Sequence, residues 1–302
     1  MNNKLRIVLL VFFAALFIFS AVMLIQQGLE YKKSGDNYND ALNAAGIPSI
    51  DKFNEMVDSK KKEENKSPEG TEGPSASGSA APDETGNSAP GMPPSIVYEG
   101  DPYAELLAAN VDLAGLKKKN SDIIGWFYIM NTEIMEPLIH YKDNDHYLRL
   151  SWTGKGYDRG GVIFMEAKCR PDFNEFNTII YGHHMRNLTK FGKLTEYKKK
   201  SYWQEHPSVY ILTDSGIDKY NIYAAYAVPL DGMTYRLSFG DDLTKQEFID
   251  FTLKQTVLKT GIVPTVEDKI LTLSTCTGDG YDERWIVQAV LVQHWSISEL
   301  VP

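Results

Sequence analysis

The chain has 302 residues, with 31 Lys and Arg against 40 Asp and Glu for a net charge of −9, and only two cysteines. That balance excludes nucleic acid as the main partner, because phosphate binding needs a positive field. Two cysteines do not make a disulfide scaffold, and the short lysine runs at 60–62, 117–119 and 198–200 read as solvated faces.

Residues 1–6 hold Lys4 and Arg6, and 7–25, IVLLVFFAALFIFSAVMLI, are apolar except for Ser20. That run is close to the ~20 residues needed to cross a bilayer as a helix. It exceeds the roughly 7–15-residue apolar region of a signal peptide, and no Ala-x-Ala pattern follows Ile25. The expectation is an uncleaved single-pass anchor in the cell membrane, with residues 1–6 cytoplasmic and the bulk of the protein extracellular. Lys32 and Lys33 after the span offset the basic residues before it, so charge adds little to that orientation. In the juxtamembrane segment 26–59, Leu42, Ile47, Ile50, Phe53, Met56 and Val57 suggest a short helix but no core. From 60 to 99 the composition turns to Pro, Gly, Ser, Ala and Glu, which reads as a disordered linker, a stalk between membrane and domain.

From 100 to 302 the pattern is globular and sized for one domain. DPYAELLAANVDLAGLKKKN has helical spacing, with Asp101 as N-cap and Pro102 in the first turn. Eight strand-like runs follow: GWFYIM, PLIHY, GVIFMEA, NTIIYG, SVYILTD, KYNIYAAYAV, KILTLST and RWIVQAVLVQHW. Helices are expected in LTKFGKLTEYKKKSYWQEH and in LTKQEFIDFTLKQTVLKTG, the latter with Thr244 and Glu247 at capping-box spacing and Gly261 closing its end. Many strands with few, separated helices favour a closed or half-closed β-barrel over a doubly wound sheet.

Three pieces carry candidate chemistry: YGHHM with His183 and His184, TLSTC with Cys276, and DERWIVQ with Arg284. The first two fall at strand ends, where a barrel rim can bring distant segments together. A cysteine attacks as thiolate, a histidine can hold its proton and return it to a leaving amine, and an arginine can steady a developing oxyanion. Each also has a plainer reading. A lone strand cysteine is most often a small core hydrophobe, and Arg284 can merely pair with Asp282 or Glu283 at the surface. Adjacent histidines on a strand face opposite ways and make poor joint metal ligands. Residue types alone leave this open.

TLSTC, NTIIYGHHM and RWIVQAVLV taken together resemble the signature of the sortases, membrane-anchored cysteine transpeptidases of Gram-positive bacteria. The resemblance runs from about Asp101 to Pro302. An N-terminal helix and a long helix at about Leu243–Leu258, before the cysteine strand, resemble class B. It implies a mainly β (α+β) fold, a barrel of roughly eight strands. It implies Cys276 as nucleophile, His183 as acid/base and Arg284 as oxyanion or substrate clamp, with Ser274 and its neighbour Thr275 lining the substrate groove. His184 fills a slot that is often Asn in relatives and is not assigned a catalytic role. The substrate implied is a secreted protein with a C-terminal sorting signal containing a Pro-x-Thr motif. The acceptor is an amine of a peptidoglycan cross-bridge or precursor, and neither metal nor organic cofactor is called for. Two alternatives stand beside it: a cysteine peptidase passing the acyl group to water, and an inactive anchored peptide-binding module. Cys169, in AKCRPDF, is read as a spectator, with a regulatory disulfide to Cys276 as the other option.

Overall fold

A computed structural model describes residues 3–64, 100–276 and 283–301, with the side chains of Glu64 and Cys276 outside that description. Residues 65–99, expected as linker, and residues 277–282 therefore lie outside the described residues. Eight strands form a closed barrel: β1 (Ile123–Ile129), β2 (Met135–His140), β3 (Ile163–Met165), β4 (Asn177–Tyr181), β5 (Ser208–Thr213), β6 (Gly216–Pro229), β7 (Ile270–Cys276) and β8 (Glu283–Trp295). Their order around it is β1-β2-β3-β4-β7-β8-β6-β5. The pairs β2–β3 and β4–β7 are parallel and the others antiparallel. All eight strand-like runs of the sequence are strands here.

These runs are continuously apolar because both faces of the sheet are covered. Alternate residues go to different cores. Phe127, Ile129, Leu138, Ile163, Ile180, Ile211, Ile222, Leu273 and Val287 belong to one cluster that draws on every strand and fills the barrel. Trp126, Tyr128, Tyr210 and Leu212, interleaved with them, face outward into a second cluster. Tyr223, Tyr226, Ile270 and Ile286 face outward into a third. A register shift between Ile222 and Ala224 puts Tyr223 and Ala224 together in that outer cluster, as expected of a β-bulge.

Helices cover the two outer faces. α1 (Asn3–Ala44), α2 (Ile50–Glu64), α3 (Pro102–Asn110) and α4 (Leu113–Lys119) precede the barrel, α5 (Lys200–Glu205) follows a 3₁₀ stretch at Phe191–Lys198, and α6 (Asp242–Gln255) precedes β7. α3 starts as expected: the Asp101 carboxylate accepts from the amides of Tyr103 and Ala104, and Pro102 takes the first turn. It stops at Val111, and Asp112 starts α4 by accepting from Gly115 N, so one expected helix is two. α6 differs in its cap. Asp241 and Thr244 form the capping box and Thr256 ends the helix, so Thr244 is the last residue of the box rather than its first and Gly261 lies beyond the helix. Phe248 and Ile249 of α6 fill the third cluster.

The juxtamembrane segment departs most from expectation. Leu42, Ala45, Ile47, Phe53 and Val57 are at most 3 % exposed and belong to the same cluster as Trp126 and Tyr128 of β1. The segment thus contributes to the core, and Lys60–Glu64, expected in the linker, continues α2. α2 packs on α3, with Lys60 paired to Glu105 and Lys61 Nζ donating to Tyr103 Oη at 3.0 Å. Upstream, α1 holds the apolar run, long enough to cross a membrane and with none of its most apolar window buried against the protein.

Candidate active site

The parallel pairing of β4 with β7 sets Tyr181 opposite Ser274, and Gly182 N donates to the Ser274 carbonyl at 3.3 Å. His183 comes next, so the chain delivers it beside the last residues of β7. A Cβ on Gly182 would lie 2.7 Å from the Phe191 ring, so only glycine lets the strand pass under that ring. On the other side of β7, the antiparallel register places Thr275 opposite Trp285 and Cys276 opposite Arg284. His183 is thereby brought to the same barrel rim as Cys276 and Arg284, far from it in sequence, by two adjacent strand pairings.

His183 is half-buried, and its Nε2 lies 2.8 Å from the Leu148 carbonyl. A carbonyl only accepts, so Nε2 carries the proton and Nδ1 is the basic nitrogen of the neutral ring. Burial pushes the His183 pKa below its ordinary 6.5, the Leu148 hydrogen bond opposes this, and the cations Arg149, Lys190 and Arg284 lower it further. The loop of His183 is pinned from behind: Phe191 N donates to the His183 carbonyl at 3.1 Å, and Lys190 forms an ion pair with Glu136 of β2 in which both side chains are 6 % exposed.

His183, Ser274, Thr275 and Arg284 all wall one cavity of about 200 Å³, together with Asn144, Leu148, Phe164 and Tyr181. A second, of about 360 Å³, shares Tyr181 and Arg284 with it and extends past Glu166, Tyr235 and Leu237. Tyr181 and Arg284 are thus common walls of the two. Ser274 is only 1 % exposed, and its hydroxyl is within 3.0 Å of Tyr235 Oη. Arg284 Nη1 donates to the Glu283 carbonyl at 3.2 Å while its side chain walls both cavities.

Several contributors had no mark in the sequence reading. Leu148 acts through its backbone carbonyl, which no side-chain type announces. Asn144 donates to Glu166 at 2.7 Å and Tyr181 donates to the same carboxylate oxygen at 3.0 Å. Polar residues at a strand end and in the DNDHYL turn were the available signal. Cys169 is the opposite case: it is buried, a free thiol, and burial pushes its pKa up to about 12. Such a thiol is inert as a nucleophile.

A closed eight-stranded barrel with histidine, arginine and the end of the cysteine strand at one rim defines a thiol-dependent acyl-transfer class, and comparison agrees. Residues 131–292 match the sortase domain; the chain belongs to the sortase family. It is a class B sortase, a cysteine transpeptidase. Sortase B of Staphylococcus aureus is 33 % identical over 181 residues, 59 % of this chain and 73 % of that protein. Sortase B of Listeria monocytogenes is 32 % identical over 185 residues, 60 % and 74 % of the two chains. Among solved structures, an S. aureus sortase B–substrate complex matches with TM-score 0.56 at 31 % identity, covering 60 % of this chain and 84 % of that one. A Listeria monocytogenes sortase B matches with TM-score 0.53 at 30 % identity, over 58 % and 98 %.

Proposed function

We propose that Cys276 is the nucleophile, His183 the acid/base and Arg284 the oxyanion donor of a transpeptidase reading a Pro-x-Thr sorting motif. The observation that carries this is the convergence of His183 and Arg284 on one cavity, with Cys276 in register opposite Arg284. His183 Nδ1 takes the Cys276 thiol proton and the sulfur bonds to the threonine carbonyl carbon. The negative charge passes to oxygen, where the Arg284 guanidinium stabilises it. On collapse the C–N bond breaks and the proton held by His183 goes to the departing amine, leaving a thioester. A neutral amine, from a peptidoglycan cross-bridge or precursor, then attacks the thioester, loses its proton to His183 and displaces the thiolate. Residues N-terminal to the threonine occupy the cavity lined by Ser274, Thr275 and Tyr181. The apolar run 7–25 anchors the enzyme in the membrane with the barrel outside the cell, where secreted substrates and wall amines meet.

The test is cleavage of a labelled motif peptide, with products resolved with and without an added amine. Cys276→Ala should abolish cleavage and His183→Ala nearly so. Arg284→Lys keeps charge but loses the planar fork, and a loss on the order of 10²-fold in kcat is expected. Full activity in any one of these variants removes that residue from the mechanism. Absence of the amide adduct at high amine would make the acceptor water.

A further inference from the structure

α1 is one continuous helix that begins in the apolar run and ends docked on the barrel. Its contacts with the barrel start early. Arg159 pairs with Glu30 at 2.5 Å, and its guanidinium lies 5.6 Å from the centre of the Tyr31 ring. Higher up, Asn37 Nδ2 donates to Asp158 Oδ2 at 2.8 Å, and Tyr38 Oη donates to the Glu133 carbonyl at 3.0 Å. Ile25 is the last residue of the apolar run. From Ile25 to Glu30 the helix rises about 7.5 Å, and the headgroup layer on each side of a bilayer is about 5–7 Å thick. Resting on the reading of α1 as a membrane anchor, this distance puts Glu30, and Arg159 paired with it, at the outer edge of the headgroup layer.

Arg159 belongs to the segment 149–160, which carries Arg149, Lys155 and Arg159 against a single acid, Asp158. That acid is already engaged by Asn37. The tip of the segment is Lys155-Gly156-Tyr157, built rather than slack. Ser151 N donates to the Gly156 carbonyl at 3.2 Å, Ser151 Oγ donates to the Lys155 carbonyl at 2.5 Å, and Leu150 bridges Tyr157. Tyr157 nevertheless stays 46 % exposed, and Lys155 is exposed too. An exposed tyrosine beside lysine and arginine is the side-chain set that settles at a membrane–water interface, and basic groups there gain from anionic headgroups.

We propose that Lys155 and Tyr157 form a second membrane contact, a surface that rests on anionic lipid headgroups beside the point where α1 leaves the bilayer, with Arg159, paired to Glu30, fastening this tip to α1. The same segment runs into the active site, because Leu148, whose carbonyl holds His183, directly precedes Arg149. The contact therefore sets the catalytic rim close to the membrane surface, within reach of substrates still tethered there.

The full chain reconstituted in phosphatidylglycerol bilayers tests this. A Tyr157→Cys variant in a Cys276→Ala background takes a fluorophore at one site, since Cys169 is buried. Lys155→Cys gives a second probe of the tip, and Leu243→Cys on α6 a reference on the other outer face. Headgroup spin-labelled lipid should quench both tip probes several-fold more than the reference, and phosphatidylcholine in place of the anionic lipid should weaken that quenching. Equal quenching at tip and reference overturns the proposal, and loss of lipid-charge dependence overturns its electrostatic part. Vesicle flotation after an alkaline wash reads the anchor separately. A chain that fails to float refutes the anchor reading, whereas one that floats with an unquenched tip refutes only the contact. In otherwise wild-type protein, Lys155→Glu should leave cleavage of a soluble peptide unchanged while slowing cleavage of a vesicle-borne one about fivefold. Equal effects on the two substrates would count against the proposal.

Discussion

The hydrogen bond from His183 Nε2 to the Leu148 carbonyl decides which nitrogen can do proton transfer, and burial together with Arg149, Lys190 and Arg284 decides its charge. A histidine whose folded pKa lies below its unfolded value binds more protons when unfolded. Stability then rises with pH across the interval between the two values: it is fully present above 6.5 and is lost as pH falls toward the folded value. Between pH 7 and 5 the urea midpoint of the wild type should therefore fall further than that of His183→Asn. Parallel pH dependences would mean that the ring is not held neutral. The same shift governs chemistry. In the proposed mechanism a neutral His183 takes the thiol proton, so the acid limb of kcat/KM should have its midpoint below 6.5. Arg149→Gln removes a cation that depresses that pKa, and the limb should move to higher pH. An unmoved limb would show that Arg149 does not act on His183. Cys276, His183 and Arg284 were singled out in the sequence because their three motifs together resemble a family signature; residue type alone left their roles open. Leu148 was not, because a backbone carbonyl carries no residue signature.

Individual elements are held by contacts that span long stretches of sequence. The loop carrying His183 is fastened to β2 by Lys190 and Glu136, 54 residues apart. Burial raises the Glu136 pKa while Lys190 opposes it, so each charge is tolerable only with the other present. Removing one partner, as in Lys190→Met, should cost about 3–5 kcal/mol, read by urea unfolding, and should lower turnover by loosening the loop. The double variant Glu136→Leu/Lys190→Met should recover most of that stability. A double variant no more stable than the singles would mean that the pair's geometry, rather than its uncompensated charge, is what matters. Strands were the legible elements: with the sheet covered on both sides they read as unbroken apolar runs bounded by turn residues. A short helix was legible where α2 lies, but its place in the core was not, since its few apolar residues stand among Lys, Glu and Asp. Only the outward-facing rings of Tyr128 and Tyr103 give them a place to pack, with Phe53 5.5 Å from Tyr128 edge-on. Phe53→Ala should accordingly destabilise the barrel by about 3–5 kcal/mol, measured on the full chain. A change within about 0.5 kcal/mol, the range of ordinary surface substitutions, would return α2 to the role of a passive connector.

At the scale of the whole molecule, the barrel is joined to the chain that precedes it twice over. α1, α2 and the connection between them bury Leu42, Ile47, Phe53 and Val57 in the cluster that contains Trp126 and Tyr210 of the sheet, and Leu300 near the C-terminal end enters the same cluster. The Pro, Gly and Ser composition of 60–99 suggested a stalk because composition reports what cannot fold and says nothing of where its two ends are held. Here both ends are held on the barrel side. Lys61 of α2 reaches Tyr103 of α3, Lys60 pairs with Glu105, and Asp101, at the start of α3, pairs with Lys219 of β6 at 2.7 Å. Residues 65–99 thus connect two elements that already touch each other, and on the proposed reading of α1 as anchor it is α1 that sets the distance from membrane to active site. Replacing 65–99 with a short Gly-Ser linker should leave the thermal midpoint and peptide cleavage of the full chain unchanged. The closure entropy of a flexible connection changes by only about 0.6 kcal/mol for each halving of its length, and a shorter connection changes it in the stabilising direction. Cutting the chain before Asp101 is the contrasting experiment. It strips α1 and α2 from Tyr103, Trp126 and Tyr128, and the thermal midpoint should drop sharply, with apolar dye binding exposing the uncovered face. If the linker replacement lowers the midpoint as much as the truncation does, residues 65–99 themselves hold the barrel, and α1 with α2 do not.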